Sequence, residues 1–370
     1  MSKNRNIPFI DLSLKKTDLT NTIKGLSKLI EDKSFIGGDE VKKFQENFSK
    51  FNGSKYCLGV ANGTDALEIA LESLDLPKNS EIIVPNFTFL SPAEAVIRGG
   101  YKLVLADINL NDFTISLESI KNLITSKTSA LIVVHLFGNP CNMLEIKKIT
   151  NKSNIKIIED CSQAHGAKFM GKNVGNFGDI GTFSFYPTKN LGAFGDSGAI
   201  VTENKRLFNK AEKIANHGRV ETYDHVLAGR NSRLDSFQAL ILNLKLKNLK
   251  RSNDSRINQA SYLIDSITKS YIETVKLSHN QISVFHQFPI LSDQRDTLLE
   301  FLKKKGINCG VYYPKPLSKM KAFNKKYIAN KAKLTNSESV SKRILSLPIG
   351  PHLNLKDSEY IANAIQSFKI

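Results

Sequence analysis

The chain has 370 residues, of which 41% are hydrophobic. It is long enough for a large core and longer than one compact domain usually is. No stretch approaches the roughly 18–20 consecutive apolar residues that a membrane span needs, and residues 1–16 have no apolar segment typical of a signal peptide. The four cysteines are scattered without CxxC spacing, which argues against a disulfide framework or a metal site. We therefore predict a cytoplasmic protein with neither a metal nor a membrane partner.

The formal net charge is +17, and residues 301–337 contain ten lysines and no acidic residue. A basic balance is typical of proteins that bind nucleic acid, a membrane surface or small phosphorylated substrates. We favour a solvated, lysine-rich surface, with attraction of an anionic substrate as the second interpretation. Nucleic-acid binding ranks third, because the sequence has no RNP1, KH, zinc-finger or basic-zipper pattern.

Short apolar runs alternate with helical patterns through the first two thirds of the chain. β-Branched and aromatic runs bounded by turn-forming residues predict six strands, at residues 82–85, 103–107, 130–136, 155–159, 182–185 and 199–202. Apolar residues at helical spacing predict helices, at residues 64–74, 91–98, 117–124, 144–150 and 205–216. Buried strands alternating with helices indicate an α/β fold whose open, mostly parallel sheet is covered on both faces.

The pattern changes after residue 234. Phe237, Leu240, Ile241 and Leu244 mark one face of a long helix that continues toward residue 250. The remainder mixes helices with short strands, such as one at residues 282–289. We predict a large domain over residues 1–248 and a smaller α+β domain over residues 249–370.

Four sequence features fall where predicted strands end, which is where ligands bind in such sheets. The first is a Gly63-Thr64 pair that opens a helix, where backbone N–H groups and a hydroxyl suit a phosphate. The second is Phe89, which follows a strand and can stack on a cofactor ring. Taken alone, each has a simpler interpretation: a helix N-cap at Thr64 and a core position for Phe89.

The third feature is the end of the strand before residue 160. Glu159 and Asp160 close an apolar run, and acidic groups in such a place are costly unless they are paired or functional. Asp160 can keep a pyridinium nitrogen protonated, with Gln163 and His165 nearby. A metal site formed by Asp160, Cys161 and His165 is disfavoured, because these residues lack a recognised ligand spacing.

The fourth feature is Lys189, in a Pro-Thr-Lys turn followed by glycines. Beside an apolar strand end its amine can lose solvation, which lowers the pKa and makes the amine a nucleophile for a Schiff base. Ser184 on the same segment can reach a phosphate. Most lysines in turns are simply exposed, but Lys189 follows Asp160 by 29 residues. The four features together, in this order, indicate a fold-type-I pyridoxal phosphate (PLP) site.

The chain resembles the DegT/DnrJ/EryC1/StrS sugar aminotransferases nearly end to end, from IPFIDL at residues 7–12 to LSLPIGPHL at residues 345–353. Between them lie ANGTDAL, VVHLFGNPCNM, IEDCSQAHGA, FSFYPTKNLGAFGD and GRNSRLDSFQALIL, in the family's order and spacing. The resemblance implies a PLP-dependent transferase fold of type I, as in aspartate aminotransferase. It also implies amino transfer from L-glutamate to a nucleotide-linked keto sugar, for surface polysaccharide or glycan biosynthesis.

The resemblance also implies roles for individual residues. Lys189 binds PLP and moves the substrate proton as a general acid and base. Asp160 pairs with the pyridine nitrogen, Gln163 contacts the cofactor ring, and Phe89 stacks on it. The phosphate contacts are Gly63, Thr64 and Ser184, together with Asn231 supplied by the neighbouring subunit of a homodimer. Contacts to the substrate are expected from Asp65, His165, Tyr186, Arg233, Tyr313 and Ser318.

The run FYPTKNLGAFGDSGA looks like members of the family that aminate C3 of a 3-keto sugar. NSRLD and YYPKPLSKMKAF also look like C3 enzymes that act on UDP- or dTDP-linked sugars. C4 amination of a nucleotide-4-keto-6-deoxy sugar is the alternative, although C4 members more often carry Glu-Gly-Gly after the lysine. Ser318 stands where many members have His, which leaves its substrate contact in doubt.

Two alternatives of other kinds remain. A related PLP dehydratase would have His in place of Lys189. A non-enzymatic regulator built on the same fold would not need Lys189, Asp160 and Ser184 together. The intact set favours an aminotransferase over both.

Overall fold

The computed structural model describes residues 5–269, 271–323, 326–329 and 332–369. Residues 324, 325, 330 and 331 of the lysine-rich stretch, like the extreme ends of both predicted domains, lie outside the described residues. The strands are β1 (Tyr56–Val60), β2 (Glu81–Pro85), β3 (Lys102–Ala106), β4 (Thr128–Val134), β5 (Lys156–Asp160), β6 (Lys168–Phe169), β7 (Lys172–Asn173), β8 (Ile180–Ser184), β9 (Gly198–Thr202), β10 (Arg219–Glu221), β11 (Asp224–His225), β12 (Glu273–Thr274), β13 (Gln281–Ile282), β14 (Phe288–Leu291) and β15 (Ile344–Leu347).

The helices frame these strands along the whole chain. They are α1 (Lys16–Glu31), α2 (Gly38–Asn52), α3 (Gly63–Ser73), α4 (Ser91–Arg98), α5 (Leu117–Leu123), α6 (Met143–Asn151), α7 (Lys205–Ala215), α8 (Ser236–Ser266), α9 (Arg295–Lys304), α10 (Thr335–Arg343) and α11 (Leu355–Ser367). In the part of the chain that the structure describes, no helix is both long and apolar enough to cross a bilayer.

A seven-stranded sheet in the order β1-β9-β8-β5-β4-β2-β3 forms the centre of the fold. Neighbours from β8 to β3 pair in parallel, whereas β9 runs antiparallel to both β8 and β1. The predicted α/β fold with a mostly parallel sheet is therefore confirmed. The parallel pairing brings the carboxyl ends of β4, β5 and β8 to one edge, which positions the site described below.

Both faces of the sheet are buried. Ile82 and Val84 of β2 share one hydrophobic cluster with Ile132 of β4. Ile83 and Val133, which alternate with them, belong to a second cluster. Because successive side chains of a strand point to opposite faces, helices and loops must cover the sheet on both sides. This double burial explains why these strands are continuous apolar runs in the sequence.

The six strands predicted in the first two thirds of the chain and the five helices predicted among them are present, with ends within two residues of the prediction. The strand predicted at residues 282–289 is wrong, because β13 ends at residue 282 and β14 begins at residue 288. The segment after residue 266 contains the small antiparallel sheet β12-β14-β15 together with α9, α10 and α11. α8 is longer than predicted and continues unbroken through residue 248. Near its start Asn243 bonds to Asn47 and Glu40 of α2, and near its end Gln259 bonds to the backbone of Gly350. The division at residue 248 stays a prediction, and it falls inside this helix.

Candidate active site

A cavity of about 1000 Å³ opens at the carboxyl ends of β4, β5 and β8. Open α/β sheets bind their ligands at this edge. Nine of the residues predicted from the sequence line the cavity: Gly63, Thr64, Phe89, Asp160, Gln163, Ser184, Tyr186, Lys189 and Tyr313. The structure thus brings together side chains that are up to 250 residues apart in the sequence.

Lys189 follows β8 in a turn that its own N–H closes by donating to the carbonyl of Tyr186, at 2.8 Å. Within the described residues its Nζ has no hydrogen bond or ion pair. Burial lowers the pKa of Lys189 from 10.5 to about 8, although the nearby Asp160 carboxylate acts to raise it. A lysine with this pKa has far more free amine near neutral pH than an exposed lysine, so it is suited to act as a nucleophile and a base.

Asp160 ends β5 and is 5% exposed. Its Oδ1 accepts a hydrogen bond from the N–H of Ser162 at 3.0 Å. Burial raises the pKa of Asp160, while the bonds to Ser162 and the charge of Lys189 oppose that rise. Its Oδ2 has no hydrogen-bond partner among the described residues. One carboxylate oxygen therefore stays available to a donor that enters the cavity.

Glu159, one residue earlier, is completely buried behind the cavity. Its carboxylate accepts hydrogen bonds from the N–H groups of Gly175 at 2.8 Å and of Phe177 and Gly178 at 2.6 Å. Its Oε2 also lies 3.0 Å from Nε2 of His135. Burial alone would raise the pKa of Glu159, but these donors outweigh it and the pKa is lowered. A buried carboxylate thus ties the end of β5 to the loop that leads into β8.

His135 directly follows β4 and completes this buried network. Its Nδ1 accepts a hydrogen bond from the N–H of Cys141 at 3.0 Å. In the neutral ring, Nε2 therefore carries the hydrogen and donates a hydrogen bond to Glu159. His135, Glu159 and Cys161 lie close enough together to hold a metal ion. Both ring nitrogens and both carboxylate oxygens are already used in hydrogen bonds within the protein, so the cluster serves as a structural network.

Gln163 connects two elements beside the cavity. Its Oε1 accepts from the N–H of Phe137 at 2.7 Å, and its Nε2 donates to the hydroxyl of Tyr313 at 3.1 Å. Burial raises the pKa of Tyr313, so its hydroxyl keeps the proton. Phe89 lies with its ring centroid 6.1 Å from that of Tyr313 and is 49% exposed. This exposure rules out the core position that is the simpler interpretation of Phe89.

The start of α3 forms an anion cradle. Its N-cap is Asn62 rather than Thr64, because the Asn62 side chain accepts from the N–H of Asp65 at 2.8 Å. Among the described residues, the N–H groups of Gly63 and Thr64 have no partner. A Cβ at Gly63 would lie 2.6 Å from Cβ of Ser184, so glycine alone allows α3 to approach the end of β8 this closely. Free N–H groups at a helix start, with the Thr64 and Ser184 hydroxyls beside them, suit a phosphate.

Five predicted contacts do not line the cavity. His165 is completely buried, 5.5 Å and 5.4 Å from the rings of Phe183 and Phe185. Burial, helped by the charge of Lys189, lowers the pKa of His165 to about 3, so its ring is neutral and acts as packing behind the site. The other four are Asp65 in the first turn of α3, the exposed Asn231 and Arg233, and Ser318, whose N–H donates to Asn86.

The cavity also has a wall that the sequence did not predict. Residues 9–14 of the N-terminal segment line it, as do Arg256 of α8 and His286. No strand-end motif marks these positions, and each reaches the cavity through packing with residues distant in the sequence. A basic residue on a helix face carries no local signal that separates a ligand contact from a solvated lysine or arginine.

In the cofactor-free protein, we expect Lys189 to react with an amine-directed acylating reagent with a pH midpoint near 8. Only the free amine attacks, so the rate should rise with pH and level off above the pKa. Asp160→Asn should move the midpoint to lower pH, because the carboxylate raises the pKa of Lys189. Pulse labelling followed by peptide mass spectrometry measures this, with the exposed Lys147 as internal reference. A midpoint for Lys189 equal to that of Lys147 would contradict the account.

Comparisons with known proteins agree with this geometry. Residues 17–366 match the DegT/DnrJ/EryC1/StrS aminotransferase family. The chain is 37% identical to a UDP-N-acetyl-3-dehydro-α-D-glucosamine 3-aminotransferase of Acidithiobacillus ferrooxidans, over 99% of each protein. It is also 37% identical to a pleiotropic regulatory protein of Geobacillus stearothermophilus, over 98% of each. The crystal structure of DesV from Streptomyces venezuelae, in complex with a ketimine intermediate, matches with a TM-score of 0.93 at 31% identity, over 98% of each chain.

These matches confirm the expected type-I fold, and they confirm PLP as the cofactor. The family match covers residues 17–366, which include all the cavity residues named above except residues 9–14. This chain belongs to the DegT/DnrJ/EryC1/StrS aminotransferase family.

Proposed function

We propose that this enzyme transfers the amino group of L-glutamate to C3 of a UDP- or dTDP-linked 3-keto hexose. We place it in the cytoplasm as a homodimer that serves polysaccharide or glycan biosynthesis. The observation that carries the proposal is Lys189, with a pKa near 8, beside Asp160 in a single large cavity at the sheet edge. The run FYPTKNLGAFGDSGA and the similarity to a 3-aminotransferase support C3 over C4.

The residues around the cavity fit PLP. The cradle of Gly63, Thr64 and Ser184 suits its phosphate, because it offers N–H groups and hydroxyls. The free oxygen of Asp160 suits its pyridine nitrogen, and the exposed face of Phe89 suits its ring. When bound, PLP supplies an electron sink for the carbon that loses or gains the amino group.

The chain itself supplies the proton chemistry. Lys189 has a pKa close to neutral pH, and such a group transfers protons most effectively as a general acid and base. With PLP bound, Asp160 would keep the pyridine nitrogen protonated, and the network of Glu159 and His135 behind it fixes the end of β5 on which Asp160 lies. Gln163 accepts a hydrogen bond from the N–H of Phe137 and donates one to the hydroxyl of Tyr313, which holds that hydroxyl in place.

The size and charge of the site support a nucleotide-linked substrate. A cavity of about 1000 Å³ is at the upper end of what small-molecule sites occupy. It therefore has room for a cofactor together with the sugar end of a larger substrate. The net charge of +17 raises the local concentration of an anionic substrate such as a diphosphate-linked sugar.

The position of Asn231 supports a homodimer whose subunits complete each other's sites. Asn231 is exposed and does not line the cavity of its own chain. The next residue, Ser232, is fixed, because its Oγ accepts from the N–H of Ala61 at 3.2 Å. Asn231 therefore stands on a rigid surface from which it can reach the phosphate in a neighbouring subunit.

Replacement of Lys189 tests the function. With PLP, the wild-type protein should show a visible absorption band that L-glutamate bleaches. Lys189→Ala should lose the band of the lysine-bound cofactor and reduce amino transfer by about 1000-fold or more. Lys147→Ala is the matched control, since Lys147 is exposed on α6. A regulatory protein that needs no catalysis is the second candidate, favoured by the Geobacillus stearothermophilus relative. A regulatory protein of this kind would show no change in its visible absorption band when L-glutamate is added.

Subunit mixing tests the role of Asn231. Lys189→Ala and Asn231→Ala should each be nearly inactive as homodimers. If Asn231 acts in the neighbouring subunit, a heterodimer of the two variants has one intact site, and random mixing restores about a quarter of wild-type activity. Denaturing and refolding the two variants together, with each alone as control, measures this. No recovery on mixing would mean that Asn231 acts within its own chain or not at all.

A further inference from the structure

Arg256 is a cation in the cavity wall that has no carboxylate partner among the described residues. Its Nη1 donates to the backbone carbonyls of Phe285 at 3.2 Å, His286 at 3.4 Å and Ile349 at 3.0 Å. No Asp or Glu in the described part of the chain forms an ion pair with it. Its Nε is buried and has no hydrogen-bond partner there either.

These contacts leave the Nε–Nη2 edge of the guanidinium free to bind a ligand. The three carbonyls use Nη1 and fix the plane of the group, while Nε and Nη2 make no hydrogen bond among the described residues. The Nε–Nη2 edge carries two parallel N–H bonds, the geometry that binds a carboxylate through both oxygens. Burial lowers the pKa of Arg256 to about 10, which reflects a charge that the protein alone does not balance. The group is therefore ready for an anion.

His286 connects Arg256 to the turn that carries Lys189. The ring is partly buried, and its desolvation, together with the charges of Lys189 and Arg256, lowers its pKa, so it is neutral. Its Nδ1 lies 3.1 Å from Oδ1 of Asn190, whose Nδ2 donates to Val284 and Asn253. Asn190 follows Lys189 in the chain. Arg256 and Lys189 thus line the same cavity, and His286 and Asn190 link them through successive contacts.

We infer that Arg256 binds a carboxylate of the amino donor. In the first half of the reaction, Arg256 thereby selects a donor through its α-carboxylate or its acidic side chain. Because Lys189 and Arg256 line the same cavity, an amino acid bound between them presents its nitrogen to the amine and its carboxylate to the guanidinium. The diphosphate of a nucleotide sugar is a less suitable occupant, because the hexose ring separates it from the reacting carbon. Lys245, another cation in this wall, already donates to the carbonyl of Gly192 at 2.7 Å. This inference rests on the proposed function.

The test compares Arg256→Gln with the wild type, both loaded with PLP. The rate of the absorbance change is measured against L-glutamate concentration, and binding of glutarate, which has no amino group, is measured by calorimetry. Loss of a bidentate charged contact should weaken the apparent affinity for L-glutamate and the binding of glutarate by about 10- to 100-fold each. Arg256→Lys keeps the charge and should recover only part of the affinity, because one ammonium does not replace the two-pronged edge.

Gln259→Leu provides a matched control. Gln259 lies one turn farther along α8 and donates to the carbonyls of Gly350 and Leu353, but it does not line the cavity. It therefore ties the helix to the same segment without touching the ligand. Gln259→Leu should leave the glutamate affinity within about twofold of the wild type. An equal loss in both variants would mean that Arg256 acts only by anchoring α8, and the inference would be wrong.

Binding of UDP and dTDP separates the two sources of an anion. Arg256→Gln should bind both nucleotides as the wild type does. Weaker nucleotide binding with unchanged glutamate and glutarate binding would assign the guanidinium to a diphosphate and overturn the inference. If the wild type itself does not respond to glutamate, the proposed function fails. If the wild type responds and Arg256→Gln responds with the same affinity, this inference alone fails.

Discussion

The carboxylate of Glu159 is the interaction on which the rest of the site depends. A charged group with no exposure is stable only when its oxygens are fully hydrogen-bonded, and here three backbone N–H groups and His135 meet that need. These bonds join the end of β4, the end of β5 and the loop that leads into β8. Asp160 follows Glu159 directly, and Ser184 and Lys189 lie at or just beyond the end of β8. The geometry of the cavity is therefore fixed by Glu159, which does not itself line the cavity.

In front of that network, the cavity holds groups that have no hydrogen-bond or ion-pair partner among the described residues. They are the N–H groups of α3, one oxygen of Asp160, the amine of Lys189 and one edge of Arg256. The start of α3, Asp160 and Arg256 are fixed by their other contacts, so these groups need little further ordering when a ligand binds. Phosphate, pyridine nitrogen, carbonyl carbon and carboxylate are the chemical groups that complement them. These four chemical groups together match a cofactor and an amino acid better than they match any single ligand.

The sequence predicts local features well and long-range ones poorly. The strands β2, β3, β4, β5, β8 and β9 carry apolar runs bounded by turn residues, and the 29-residue interval from Asp160 to Lys189 is a motif in itself. β1 was missed because it is a short strand that contains glycine and pairs only with the antiparallel β9. α1 was missed because Leu19, Ile23 and Ile30 are exposed in this chain and form no buried stripe. Asn62 takes the N-cap that Thr64 would fill, since both residue types cap helices and only the backbone decides between them. Arg256 and His286 depend on tertiary packing alone.

The central claim is amino transfer from glutamate to C3 of a nucleotide-linked keto sugar. The direct measurement is to incubate the PLP-loaded enzyme with ¹⁵N-labelled L-glutamate and, in parallel, with UDP- and dTDP-linked 3-keto and 4-keto hexoses. NMR spectroscopy of the products then locates the label on the sugar ring. The account predicts ¹⁵N at C3 with a 3-keto substrate and little product from the 4-keto series. Label at C4, or no labelled sugar from any of the four substrate classes, would contradict it.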